Sequence, residues 1–303
     1  MDQFYQMLDL QLSVLMYLLV GVFAYRKKMI TEENRTQFIH LILNILMPAL
    51  VFNSFKELTP EILRLGLWAL IGSTVIYTVT YFIGAFLFRN FEDRKGKILH
   101  YATLVNNAGL GGQPLSYSMY GDLGSLFAAI YLVPHRIFMW TLGIKILADE
   151  EAEEKSVLYK LLHNPSIIAV FLGLIRGLLQ IELPSFIDRS IETMGSTVSP
   201  LAAIIIGSII ATIDFRVLFE RGVFRYTFVR LIASPLIVLE VSKLIGLNET
   251  LIGVFTIMSA MPAGTTTALL AAQYNLDEEL SSKIVFVTTI LSIFTVPAMM
   301  LFL

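Results

Sequence analysis

Residues 106–120 read NNAGLGGQPLSYSMY. Two Asn, three Gly, a Gln and a Pro sit here inside a long apolar run, and the nature of that run decides the fold. The surroundings answer first. Hydrophobic residues make up 56 % of the 303-residue chain and charged residues 15 %, where a soluble domain carries about 25 % charge. Mean hydropathy is +0.72. The apolar residues lie in long runs separated by short charged segments, and a bilayer crossing needs about 20 apolar helical residues. Ten candidate spans result: 7–25, 37–55, 65–88, 98–120, 123–147, 165–182, 190–212, 225–247, 250–274 and 281–303. They leave no room for a soluble domain. Barrel strands alternate apolar and polar residues over short segments, whereas these runs are apolar all round. The expectation is an all-α polytopic membrane protein.

The first span follows MDQFYQ, which lacks a basic start and a small-residue cleavage site, so it is expected to stay as helix 1. The absence of Cys excludes disulfides and thiolate metal sites. Net charge is −2, and no nucleic-acid partner is expected. The placement of cations says more. They collect after helix 1 (Arg26, Lys27, Lys28, Arg35), helix 3 (Arg89, Arg94, Lys95, Lys97), helix 5 (Lys145, Lys155, Lys160) and helix 7 (Arg216, Arg221, Arg225). The positive-inside rule then places these loops in the cytoplasm and both termini outside a plasma membrane. The loop after helix 9, NLDEELSSK, is acidic but weighs little in that rule.

The chain also echoes itself. NILMPALVFNS (44–54) resembles STVSPLAAIII (196–206), matching Pro48 to Pro200. SMYGDLGSLFAAIY (118–131) aligns with AQYNLDEELSSKIV (272–285), matching Tyr120 to Tyr274. The offsets, 152 and 154, are about half the chain. Two five-helix halves, 1–147 and 165–303, follow, joined by a cytoplasmic linker, 148–164, that holds the acidic run ADEEAEEK. Five is odd, so the second half enters the membrane in the opposite sense, a design common in secondary transporters.

Under this repeat, span 98–120 corresponds to span 250–274, which reads TIMSAMPAGTTTALLAAQY over 256–274 and is interrupted by Pro262, Gly264 and Thr265–Thr267. The same helix of each half carries a break. Pro removes a donor and Gly leaves the helical region cheaply. Backbone groups freed at that depth are tolerated only inside protein or beside a water-filled cavity. Paired interrupted spans point to a substrate site. A half-helix starting near Gln113–Pro114 aims free N–H groups at the midplane and favours an anion there. Asn106, Asn107, Gln113, Thr265, Thr266 and Thr267 add neutral hydrogen-bonding groups. The competing explanation is that the glycines only permit close helix packing.

These residues resemble a known family. NNAGLGGQPLSYSMYGD, with Asn107, Gly112 and Pro114 at their spacing, is similar to the fourth-helix signature of the auxin efflux carriers. LNILMPALVF, MGSTVSPLAAIIIGSIIA and MPAGTTTALLAAQYNLD resemble the family in helices 2, 7 and 9. The compact length resembles bacterial members labelled malate or malonate permeases. The resemblance implies ten helices in two inverted halves, a scaffold and a transport domain, and broken helices 4 and 9 crossing beside the substrate. It implies organic-anion transport, dimers through the scaffold, and a role for Asn107, Pro114 and Pro262. Many members place an Asn after the helix-9 Pro, where this chain has Gly264 and three Thr.

Ionisable groups inside spans default to functional hypotheses. His135 and Arg136 lie within helix 5, where Arg136 either attracts an anion or snorkels to the cytoplasm. Arg176 is expected to pair with Glu182 or reach the outer surface, Arg230 to snorkel, and Glu240 to pair with Lys243. No Asp or Glu falls mid-span, so coupling to Na+, coupling to H+ and uniport stay open. No cofactor is expected. An intramembrane enzyme is disfavoured, because there is no Cys or H-E-x-x-H and the four His (His40, His100, His135, His163) are scattered. A sodium symporter of the bile-acid type and a ligand sensor that does not transport remain as alternatives to an anion carrier.

Overall fold

The computed structural model describes residues 2–56, 58–91, 93–147, 163–211, 221–264 and 266–303. The acidic stretch of the expected linker, 148–155, and Thr265 lie outside them. Regular structure among the described residues is helical, apart from one isolated antiparallel bridge between Asn106 and Ala263. The α-helices in chain order are α1 (Asp2–Arg26), α2 (Glu32–Leu41), α3 (Met47–Ser54), α4 (Pro60–Phe88), α5 (Asp93–Leu104), α6 (Gln113–Phe138) and α7 (Ile144–Leu147). There follow α8 (Pro165–Leu178), α9 (Ser185–Ser196), α10 (Val198–Ile210), α11 (Arg221–Phe228), α12 (Ser234–Leu244), α13 (Glu249–Ala260), α14 (Thr266–Gln273) and α15 (Glu278–Met300). Among the described residues, six helical runs are long and apolar enough to cross a membrane: Glu32–Ser54, Pro60–Phe88, Ala108–Leu147, Ser185–Ser208, Gly222–Leu244 and Glu278–Met300. The chain is a polytopic helical membrane protein.

Several runs contain wide π-helical turns, and three of these share a cause. They span Ile42–Leu46, Ala108–Gly112 and Val229–Ala233, and each ends two residues before a proline: Pro48, Pro114 and Pro235. A helical proline cannot bond the carbonyl four residues back, and its ring collides with it. Those carbonyls belong to Asn44, Leu110 and Leu231, inside the three turns. Widening the turn moves the carbonyl aside and lets the helix continue. Gly121, with φ 59° and ψ −145°, divides α6 into two segments, close to the boundary that the sequence places between spans 98–120 and 123–147.

The chain forms two compact units. The first comprises Met1–Leu67, Gly109–Ile130 and Leu162–Ile213, and the second Trp68–Ala108, Tyr131–Leu161 and Asp214–Leu303. Each draws on both sequence halves. In the first unit α1 and α10 meet at reciprocal glycines. A Cβ on Gly21 would lie 2.0 Å from the Ile204 carbonyl oxygen, and one on Gly207 would lie 2.0 Å from that of Leu18. With lipid on the outside there is little hydrophobic drive between helices, so backbone approach through small residues supplies the packing. α8 repeats the device: Gly173 and Gly177, four apart, seat Phe55 and Leu58. Between them Arg176 is 4 % exposed and pairs with Asp188 at 2.5 Å, not with Glu182. Its guanidinium also lies 5.2 Å over the Phe52 ring. An ion pair between neighbouring helices neutralises the charge where it stands, so the arginine does not reach for the surface.

The second unit packs Ile98, Leu99 and Ala102 of α5 against Val223 and Tyr226 of α11, Ala271 of α14, and Leu280, Ile284 and Val287 of α15. This core brings the ends of α5 and α13 together.

Candidate substrate site

α13 stops at Ala260 because Met261 precedes a proline, a position biased to extended backbone; Met261 has φ −65° and ψ 142°. α5 stops at Leu104. The chain is non-helical over 105–107 and 261–264, and the two segments run antiparallel. Asn107 N–H donates to the Pro262 carbonyl at 2.8 Å, and Gly264 N–H donates to the Val105 carbonyl at 3.4 Å. Ala263 N–H donates to Thr288 Oγ1 at 3.0 Å. A Cβ on Gly264 would lie 3.2 Å from the Asn106 carbonyl oxygen. Gly264 therefore serves the close approach of two backbones, which accounts for a glycine at this position.

The breaks expose helix-terminal carbonyls, and most of these are covered. Pro262 has no N–H for the Met258 carbonyl, and Asn106 Nδ2 replaces it at 2.6 Å. Tyr226 OH donates to Ala102 O at 2.8 Å. Arg230 donates from Nε to Met261 O at 2.9 Å and from a terminal nitrogen to Thr103 O at 3.2 Å. Tyr226 and Arg230 are four residues apart, so both address the same neighbours. A helix C-terminus carries partial negative charge, and one guanidinium here answers two of them. Arg230 is 4 % exposed, so the expectation that it snorkels is corrected: its charge is compensated inside the protein. No described carboxylate lies within 4 Å of it. The sequence carries a weak signal for this role, an Arg one turn after a Tyr within an apolar span. The partners stand 127 and 31 residues away in the chain.

Asn107 differs from its neighbour. Asn106 is 4 % exposed and committed to Met258. Asn107 is half-buried, and its side-chain amide makes no hydrogen bond among the described residues. Thr266 Oγ1 accepts from Tyr101 OH at 3.4 Å, while Thr267 Oγ1 is buried without a partner.

Residues 7–300 match the family described as "Membrane transport protein". The chain belongs to that family. It is the family of the auxin efflux carriers, as the helix 4 and helix 9 motifs imply. An uncharacterized transporter of Methanocaldococcus jannaschii is 25 % identical, over 95 % of this chain and 96 % of its own. The uncharacterized transporter YfdV of Escherichia coli K12 is 23 % identical over 87 % of each chain. A Rhizobium meliloti protein named "Putative malonate transporter" is 21 % identical, over 86 % of this chain and 84 % of its own. The family is one of transporters.

The remaining sequence candidates fall elsewhere. After the break the helical run restarts at Ala108, not near Gln113–Pro114, because the wide turn at Ala108–Gly112 absorbs Pro114. The free N–H groups are thus those of residues 108 onward. Gly112, Gln113 and Pro114 are buried and belong to the first unit. Gln113 is fully buried with both amide atoms unpartnered, as a group awaiting a ligand or water would be. A Cβ on Gly109 would meet nothing within 4 Å, so helix packing does not explain that glycine. His135 is stacked on Tyr77 (5.2 Å between centroids, 28°) with Nε2 unpartnered. Tyr77 in turn meets Tyr131, which meets Phe255 of α13. Arg136, the next residue, is half-buried. Lys243 donates to the Phe302 carbonyl at 2.5 Å.

Proposed function

We propose that the protein is a secondary carrier of small organic anions, with the substrate held at the crossing of its two broken helices and moved by alternating access. One observation carries this reading: the Asn107 side chain makes no hydrogen bond among the described residues, at the break itself, while carbonyls at the ends of α5 and α13 are covered. Arg230, Tyr226 and Asn106 occupy the carbonyls of Met261, Thr103, Ala102 and Met258. What the break still offers is the positive end of the runs beginning at Ala108 and Thr266, which favours a carboxylate. Asn107 supplies a neutral donor beside it. The malonate named for the Rhizobium meliloti relative makes dicarboxylates the first class to test.

The proposal includes ten crossings in two inverted halves. The backbone supports it. Non-glycine residues with positive φ include Lys28 (58°), Gln180 (49°) and Asn275 (52°), and Gly121 has φ 59°. Lys28 and Gln180 stand 152 apart, and Gly121 and Asn275 stand 154 apart, the two offsets of the sequence repeat. Left-handed backbone is uncommon outside glycine, so its recurrence at those spacings favours a shared ancestry of the halves. The unit that carries the break is assigned as the transport part, and the other as scaffold. Both termini face outside a plasma membrane in this reading, and a homodimer through the scaffold is carried over from the family resemblance.

Coupling is assigned without sodium. A sodium site at a helix break uses unwound carbonyls, and here Val105, Pro262 and Met261 already accept protein donors. The test is thermal unfolding of the purified protein with malonate, malate and an aromatic acid, with sodium or potassium. A ligand of the folded state raises the midpoint by mass action, here by about 2 °C or more at saturation. A dicarboxylate shift that is equal in both salts supports the proposal. No shift with any carboxylate contradicts it, and a shift that requires sodium favours the bile-acid type of symport.

A further inference from the structure

We infer that Tyr101 is a positioning residue for the substrate: it sets the Thr266 hydroxyl as a hydrogen-bond donor to a carboxylate at the start of α14. The inference rests on the anion-carrier reading and adds to it a second polar contact, besides that of Asn107. Tyr101 lies in the last turn of α5 and is fully buried. Its ring is seated against the wide turn Met139–Gly143, where a Cβ on Gly143 would lie 3.0 Å from it. A Phe would fill the same space, so packing does not explain the hydroxyl. That hydroxyl makes one hydrogen bond among the described residues, donating to Thr266 Oγ1 at 3.4 Å.

Thr266 opens α14, and its hydroxyl stands beside the other broken segment. A Cβ on Gly264 would lie 3.2 Å from Thr266 Oγ1 and 3.2 Å from the Asn106 carbonyl oxygen, so the two oxygens flank one point. A threonine hydroxyl has one proton to donate and two lone pairs to accept with. Tyr101 takes a lone pair, and Thr266 Oγ1 donates to no acceptor among the described residues. The proton is left for a ligand that accepts. An ionised carboxylate only accepts, whereas an ammonium only donates. Thr267, the next residue, is 1 % exposed with Oγ1 unpartnered, an independent sign that the first turn of α14 is built for a ligand. The Tyr101 contact is longer than the roughly 2.5–3.0 Å usual for an O–H···O bond. Hydrogen bonds of a site tighten when the ligand is present, and a hydroxyl that donates outward becomes a better acceptor. The helix start supplies the preference for negative charge, and Thr266 supplies its direction.

The experiment is the apparent Kd of the purified full chain for malonate, malate and benzoate, from titrations of the unfolding midpoint. Wild type is compared with T266V, T266S, Y101F and Y101F/T266V. T266V keeps the shape and removes the hydroxyl. It should weaken binding about tenfold, the loss of one hydrogen bond to a charged group, while T266S stays within about twofold of wild type. Y101F should weaken binding by about threefold or more, and Y101F/T266V should bind no worse than T266V, because Tyr101 acts only through the Thr266 hydroxyl. A packing role for Tyr101 would instead lower the midpoint and leave its effect on Kd independent of Thr266. Wild-type affinity in T266V, or losses in Y101F and T266V that multiply in the double variant, overturns the inference. If Y101F does not fold, T266V against T266S decides, and equal affinity in the two overturns it. No binding of any of the three acids by the wild type overturns the carrier reading and this inference with it. Binding that Asn107→Ala removes and T266V leaves intact overturns this inference alone.

Discussion

The two units illustrate two ways of holding helices together. In the first, α1 and α10 touch backbone to backbone at Gly21 and Gly207, and α8 seats Phe55 on two glycines. At these contacts backbone packing suffices without a polar group. In the second, two helices stop inside the protein, and side chains from elsewhere cover the stumps: Asn106, Tyr226 and Arg230 on four carbonyls. Close packing gives a contact with one geometry. A capped break gives a contact plus helix starts, which the proposed binding mode assigns to the substrate. The difference lies in which backbone groups are satisfied internally and which are left.

That comparison can be broken from either side. The largest effect is expected at the glycine contact. A side chain on Gly207 has no flexible neighbour to displace, since the obstruction is the Leu18 backbone. Gly207→Val should cost about 3 kcal/mol or more, read as loss of folded protein after detergent extraction. Normal yield and midpoint would show that α1 and α10 are not held by this approach.

Next is Arg230→Met, which keeps the bulk and removes the donors. Two terminal carbonyls, of Met261 and Thr103, lose their partner, at roughly 1–3 kcal/mol each. The midpoint should fall by several degrees, and Arg230→Lys should recover only part because one ammonium cannot reproduce the planar fork. Full rescue by Lys would reduce Arg230 to a point charge. Asn106→Ala is expected to be smaller, about 1–3 kcal/mol, through the single Met258 carbonyl that Pro262 cannot serve. A fall in the midpoint without a change in substrate preference sharpens the division between Asn106, which holds the break, and Asn107, which uses it.

Much of this was legible in the chain. Pro262 and the residue before it dictate where α13 ends, because the rule is local. The Asn–Gly-rich stretch marked the other break for the same reason. The restart of helix 4 was read five residues late: Pro114 looks like a first helical position, but a wide turn accommodates it, as at Pro48 and Pro235. The role of Arg230 was not legible, since its partners are brought to it only by the packing of α5, α11 and α13. Gly264 was read as a departure from the family's Asn in the site. Its reason is the 3.2 Å that separates its missing Cβ from Asn106.

The most direct test of the account is uptake of labelled malonate into proteoliposomes by Asn107→Ala, beside its thermal midpoint. The Asn107 side chain makes no hydrogen bond among the described residues, so the midpoint should stay within about 1–2 °C of wild type. Uptake should fall by about tenfold or more, the loss of one well-placed hydrogen bond to a charged group. Undiminished uptake by a well-folded Asn107→Ala protein would contradict the assignment of the substrate to the helix break.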